Sequence, residues 1–135
     1  MHPSRFSYIK VWEAEQVKRP EKETFRLLDI GCGTGATLAR IINRYPDAKV
    51  TGIEKQEKAA RLASKIADVL QADICDMKED AYTDCFDQIL TGGIWEHIKK
   101  EQVSAVFHKL HRWAKKDCMI TGSIYNSEHP WCHLL

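Results

Sequence analysis

The sequence predicts a three-layer α/β fold, a doubly wound and mainly parallel sheet covered by helices on both faces. Three observations predict it. Short apolar runs alternate with longer helical patterns along most of the chain, the order expected of βαβ units. The first run leads through a glycine-rich loop directly into a helix. Crossovers between successive strands are right-handed and make the strands parallel, and a parallel sheet needs cover on both faces.

The elements follow in order. From Ser4 to about Val17, the residues Phe6, Ile9, Val11, Trp12 and Val17 form a loose helical stripe. It ends at the charged connector Lys18-Arg19-Pro20-Glu21-Lys22-Glu23, where the proline acts as a stop. Residues 1–24 are thus an N-terminal helical segment, and residues 25–135 the domain itself. Phe25 to Ile30 is an unbroken apolar run apart from Arg26 and Asp29, and reads as a buried central strand. Gly35 to Asn43 reads as a helix with Leu38, Ile41 and Ile42 on one face, broken by Tyr45-Pro46-Asp47. Lys49 to Ile53 is the second strand. Gln56 to Ile66, rich in Ala, Lys and Glu, is the second helix of the domain. Val69 to Ala72 and Phe86 to Thr91 are the third and fourth strands. Lys100 to Trp113 is a helix whose apolar face carries Val103, Val106, Phe107, Leu110 and Trp113. Cys118 to Ile124 is the fifth strand, and residues 126–135 show no pattern.

A chain of 135 residues has the length of one domain. Hydrophobic content of 44% and charged content of 29% are those of a globular chain and exclude disorder. The net charge of +1 offers no basic excess for nucleic acid, and Lys99-Lys100 and Lys115-Lys116 are short pairs on a solvated surface. The five cysteines at 32, 75, 85, 118 and 132 form no paired framework, so buried reduced thiols in a cytoplasmic protein are expected. Neither a signal-peptide core nor a run of membrane-spanning length is present. His108, His111, Cys132 and His133 have no metal-ligand spacing, so no metal is expected.

The strongest local signal is Gly31-Cys32-Gly33-Thr34-Gly35 between strand and helix. Glycine tolerates positive φ and lets a ligand approach the backbone, and the helix start attracts an anion. That anion is either a dinucleotide pyrophosphate or the carboxylate of a methionine-like group. Gly31, Gly33 and Ala36 satisfy the loose dinucleotide pattern. Asp29 argues the other way. A carboxylate beside the loop repels a diphosphate but suits an ammonium group, directly or through water.

The stretch Leu27-Leu28-Asp29-Ile30-Gly31-Cys32-Gly33-Thr34-Gly35 resembles the first motif of class I S-adenosylmethionine-dependent methyltransferases, including its acid and its third glycine. Three further positions match in order: Glu54 closing the second strand, Asp73 after the third, and Phe86 to Leu90 followed by Ile94-Trp95-Glu96-His97-Ile98. The resemblance spans Leu27 to about Ile124. It implies a Rossmann-like methyltransferase fold that binds S-adenosyl-L-methionine. By that resemblance Glu54 takes the ribose and Asp73 the adenine amino group. Asp29, Gly31, Cys32, Gly33, Gly35, Lys55, Ile74, Thr91 and Gly92 are the other expected cofactor positions. A carboxylate can accept both ribose hydroxyls, so the chemistry of Glu54 agrees.

The sequence departs from that family after the fifth strand, where the family adds a further hairpin. A fold truncated there is expected to leave the fifth strand as an edge, with a homodimer as one way to cover it. Lys115-Lys116-Asp117 stands where the family often has a proline-glycine turn. Methyl transfer is a displacement that depends on alignment and needs a base only when a proton must leave early. Glu96 and His97 are the candidate catalytic groups, with loop orientation and helix capping as their plainer role. Trp95 suits packing on the adenine, lining the pocket, or the core. Tyr8 and Trp12 would make the N-terminal segment a lid, or simply pack on the sheet. Thr91-Gly92-Gly93-Ile94 lacks the Asn/Asp-Pro-Pro-Tyr-like motif of enzymes acting on exocyclic or amide nitrogens, and a small-molecule acceptor is expected. The competing readings are an NAD-linked oxidoreductase fragment and a cofactor-binding partner without catalysis.

Overall fold

A computed structural model describes residues 13–20 and 24–124. After a short helical turn at 13–15, the elements are β1 (Arg26–Ile30), α1 (Ala36–Arg44), β2 (Lys49–Glu54), α2 (Glu57–Ala63), β3 (Asp68–Gln71), β4 (Phe86–Gly92), a 3-10 turn (Trp95–His97), α3 (Lys100–Trp113) and β5 (Ala114–Ser123). The strands form one sheet in the order β3-β2-β1-β4-β5, and every neighbouring pair is parallel. The chain reverses direction across the sheet between β1 and β4. In such sheets a crevice opens there, beyond the carboxyl ends of the strands.

Strand alternation divides the interior into two cores. Leu27 and Leu90 face Leu38 and Ile41 of α1, Ala63 of α2, and Phe25. Leu28, Ile30 and Ile89 face Val106, Leu110 and Trp113 of α3. These two apolar layers, with β1 and β4 between them, make the expected three-layer sandwich. β4 is buried at all seven positions, its polar residues Asp87, Gln88 and Thr91 as well as Phe86, Ile89 and Leu90. Ala14 and Val17 join the first core, and Tyr45 donates from its hydroxyl to the Val17 carbonyl at 3.2 Å. Gln88 reaches the same segment through Gln16 and Lys18, so residues 13–20 lie against the sheet. Tyr8, Trp12, Cys132, His133 and residues 126–135 fall outside the described residues.

Several details differ from the sequence expectation. β3 begins at Asp68 rather than Val69. α2 stops at Ala63, short of Ile66. The Ser64 hydroxyl donates to the Ala60 carbonyl at 2.7 Å, a local bond that competes with helix continuation. β5 starts at Ala114, before Cys118, through a bulge. Its register passes from Phe86 opposite Ala114 to Gln88 opposite Met119, and Asp117 takes a left-handed φ of 66°. The extra polar residues at 115–117 are accommodated there, which is why they carry no strand pattern. On α3, Phe107 is 53% exposed and Lys109 is buried, the reverse of what the apolar spacing suggests. Cys32 is fully buried, whereas Cys75, Cys85 and Cys118 are only partly so. Among the described residues no helix is long and apolar enough to cross a membrane, and no three metal-ligating side chains converge.

Candidate functional site

The carboxyl ends of β1, β2 and β3 open into a cleft of about 360 Å³. Its floor is Ile30, Gly31, Ile53 and Glu54. One wall is Ala72, Asp73, Ile74 and Cys75, and the other is Gly93, Ile94, His97 and Ile98. Lys55 and Gln56 form the rim beside α2.

The loop after β1 gives the cleft its shape. Gly31 turns with φ of +75°, and a Cβ there would meet Ile94 Cγ2 at 2.5 Å. Any larger residue would push Ile94 and its wall away from the floor. Gly35 takes φ of +98° at the start of α1 and lies against Ala63 and Ile66, so the loop is clamped from α2 as well. The Gly31 and Cys32 amides both donate to the Ile53 carbonyl, at 2.8 and 3.1 Å.

Glu54 joins loop and helix. One carboxylate oxygen accepts the Gly33 amide at 3.1 Å, and the other accepts the Gln56 amide at 2.7 Å. A carboxylate has about four lone-pair sites, so capacity remains for donors in the cleft. At the next strand, Asp73 accepts the Cys75 amide through Oδ1 at 2.9 Å and fixes a tight turn. Burial and the neighbouring Asp73 carboxylate push the Cys75 thiol above the usual thiol value.

Of the residues singled out in the sequence, Gly31, Glu54, Lys55, Asp73, Ile74 and His97 meet in the cleft. The others shape it from behind. Asp29 is fully buried and shares the strand face of Leu27, away from Ile30. The Cys32 side chain packs in the first core. Gly33 contributes its amide and Gly35 its turn. The Thr91 hydroxyl is turned to β5: it donates to the Thr121 carbonyl at 3.0 Å and accepts from the Trp95 indole at 3.1 Å. A Cβ at Gly92 would overlap the Glu13 carboxylate. Glu13 is itself buried and accepts from the Thr37 and Ser123 hydroxyls. Glu96 is exposed and outside the cleft, beside Gly93. Trp95 stacks on Phe107 with ring centres 4.6 Å apart, and its indole donates to the Thr91 hydroxyl at 3.1 Å. Ala72, Cys75, Ile94 and Ile98 belong to the walls although their sequence pattern marks them for no role. The one signal available was their adjacency to Asp73, Ile74 and His97 on the same loops.

The cleft can take a ligand with an apolar ring and several hydroxyl or amino donors. It is poorly suited to a diphosphate. Two acidic residues, Glu54 and Asp73, line it, and the Gly33 amide already donates to Glu54.

Residues 27–117, more than half of the chain, match the profile described as a methyltransferase domain. The chain belongs to the methyltransferase domain family. Similar methyltransferases include (S)-coclaurine N-methyltransferase of Thalictrum flavum subsp. glaucum, 29% identical over 108 residues that cover 73% of this chain and 28% of that protein. Cyclopropane mycolic acid synthase 1 of Mycobacterium tuberculosis is 27% identical over 108 residues, covering 77% and 37%. Among solved structures, the plantazolicin methyltransferase BpumL in complex with a pentazolic desmethylPZN analog and SAH superposes with a TM-score of 0.68 at 25% identity, covering 91% of this chain and 48% of that one. The chain thus spans less than half the length of each of these relatives. Family membership and the cleft chemistry together set aside the dinucleotide reading. The methyltransferase fold places Gly31, Glu54 and Asp73 at the ends of three adjacent strands in one cleft.

Proposed function

We propose that the cleft binds S-adenosylmethionine and that the chain serves methyl transfer to a small-molecule acceptor. The observation that carries this reading is Glu54: it lines the cleft while its carboxylate holds the Gly33 amide of the glycine loop. Its remaining lone pairs suit the two ribose hydroxyls, and Asp73 at the end of the adjacent strand suits the adenine amino group. Ile53, Ala72 and Ile74 supply the apolar surface for the ring. Asp29, buried beneath the loop, biases it toward a positively charged amino group. When bound, this cofactor supplies an electrophilic methyl group.

The task of the protein is alignment. A rigid loop clamped by Ile94, Ala63 and Glu54 holds the cofactor in one orientation, and orientation supplies much of the rate of a displacement. His97 on the rim is the polar group best placed to take a proton from an acceptor, with Glu96 beside it on the same turn. The small-molecule acceptor is supported by relatives named for coclaurine and mycolic acid, and by a net charge of +1. Five cysteines without a paired framework in the sequence suit a reducing, cytoplasmic setting. A homodimer across the β5 edge would cover Met119 and Ile120, both exposed there.

Isothermal titration of the chain tests the cofactor assignment. Heat is expected with S-adenosylmethionine or S-adenosylhomocysteine and none with NADH. Glu54→Ala should weaken S-adenosylhomocysteine by about tenfold or more, as expected when a pair of hydrogen bonds to a charged group is removed. Unchanged affinity would remove Glu54 from the ribose site.

A further inference from the structure

Lys109 is a buried cation on α3 with no acidic side chain as its hydrogen-bond partner among the described residues. Its ammonium group donates to the Ile74 carbonyl at 2.8 Å and the Cys75 carbonyl at 2.9 Å, and the residue is 8% exposed. Burying an ammonium group is costly unless hydrogen bonds replace its water, and those bonds come from the wall of the cleft. The same loop is shaped from the other side by Asp73, which accepts the Cys75 amide at 2.9 Å and whose own carbonyl accepts from the Asp76 amide at 3.0 Å. One turn further along α3, the Trp113 indole donates to the Glu79 carbonyl at 2.8 Å. The loop after β3 is therefore held in place by the buried face of α3.

We propose that Lys109 is a positioning residue for nucleoside binding, which sets the wall formed by Asp73, Ile74 and Cys75 without touching the ligand. This rests on the assignment of that wall to the adenine of the cofactor. Asp73, Ile74 and Cys75 line the cleft on this same loop, and Ile74 also packs into the core that α3 covers, so the Lys109 bonds fix the wall between α3 and the cleft. A neutral apolar residue at 109 would release both carbonyls, and the loop would sample orientations that do not present Asp73. The cost falls on ligands carrying the nucleoside. It does not fall on the alignment of methyl and acceptor, which belongs to the glycine loop and the 3-10 turn.

The test is titration of the full chain and its Lys109→Met variant with S-adenosylhomocysteine and with 5′-methylthioadenosine, alongside thermal melting. Lys109→Met should weaken both ligands by about tenfold, the scale of one charge-assisted hydrogen bond. Lys109→Arg, which keeps the donors, should recover most of the affinity. Should Lys109→Met not fold, Lys109→Gln, which keeps amide donors but loses the charge, is read in the same assay: it should weaken both ligands by a few fold, between Met and Arg, and unchanged affinity overturns the proposal. A variant that melts lower yet binds both ligands as the parent does overturns the proposal, since a merely structural lysine predicts that pattern. Absence of binding by the unmodified chain overturns the cofactor assignment and the role of Lys109 with it. Parental binding with no change in the variant overturns the role of Lys109 alone.

Discussion

Gly31 and Glu54 carry the most local information in this chain. Gly31 occupies a left-handed turn pressed against Ile94, where a side chain has neither a favourable φ nor room. Glu54 works in two directions, toward the loop amide and toward the start of α2, while its residue lines the cleft. Cys75 reports on the same cleft. Burial disfavours its thiolate and the adjacent Asp73 charge disfavours it further, so its pKa lies above the ordinary thiol value. The thiolate is the nucleophile, so alkylation of Cys75 by iodoacetamide should be slow at neutral pH and rise only above the pH at which a free thiol titrates. Asp73→Asn removes the negative charge, lowers that pKa and should speed the reaction at a given pH. S-adenosylhomocysteine should slow it. Peptide-level mass spectrometry over a pH series reads all three, and full reactivity at neutral pH would contradict the raised thiol pKa.

At the scale of elements, the helices do different work. α3 buries Val106, Leu110 and Trp113 against β1 and β4, and it also holds the loop after β3 through Lys109 and Trp113. α2 is short and leaves Leu62 48% exposed. Leu110→Ala should therefore cost about 2–5 kcal/mol, the range for a fully buried leucine, whereas Leu62→Ala should stay within about 0.5 kcal/mol. Urea unfolding followed by circular dichroism measures both, and equal costs would mean that α3 is not the main cover of its face. The extent of α3 was legible from its spacing, but its face was not. Phe107 fits the apolar periodicity yet stacks on Trp95 at the surface, and Lys109 lies inside because carbonyls from a loop 34 and 35 residues away receive it. No pattern within one helix encodes those distant acceptors.

For the whole molecule, the described sheet ends at β3 on one side and β5 on the other. β5 is ten residues long, with Met119 and Ile120 exposed at 38% and 41%. An edge of this length with apolar residues invites pairing with another strand. Sedimentation velocity over a concentration series should show a monomer–dimer equilibrium, and Ile120→Lys should shift it to monomer. A single monomeric species at every concentration would remove the β5 edge as a dimer contact. The order of strands and helices, the glycine loop and the two acids at strand ends were all legible in the linear chain. Those are local features, set by apolar runs, by turn residues and by chain spacing. Which residues face the cleft was settled by packing in three dimensions. Thr91 and Gly92 lie at the end of a strand as Glu54 does, but the Thr91 hydroxyl bonds to β5 and the Glu13 carboxylate covers Gly92. Ile94 closes on Gly31, and Lys109 braces Ile74 and Cys75, across separations that no local pattern records. The physical reason is that a side chain's direction at a strand end depends on the partner that packing brings to it, and those partners come from distant parts of the chain.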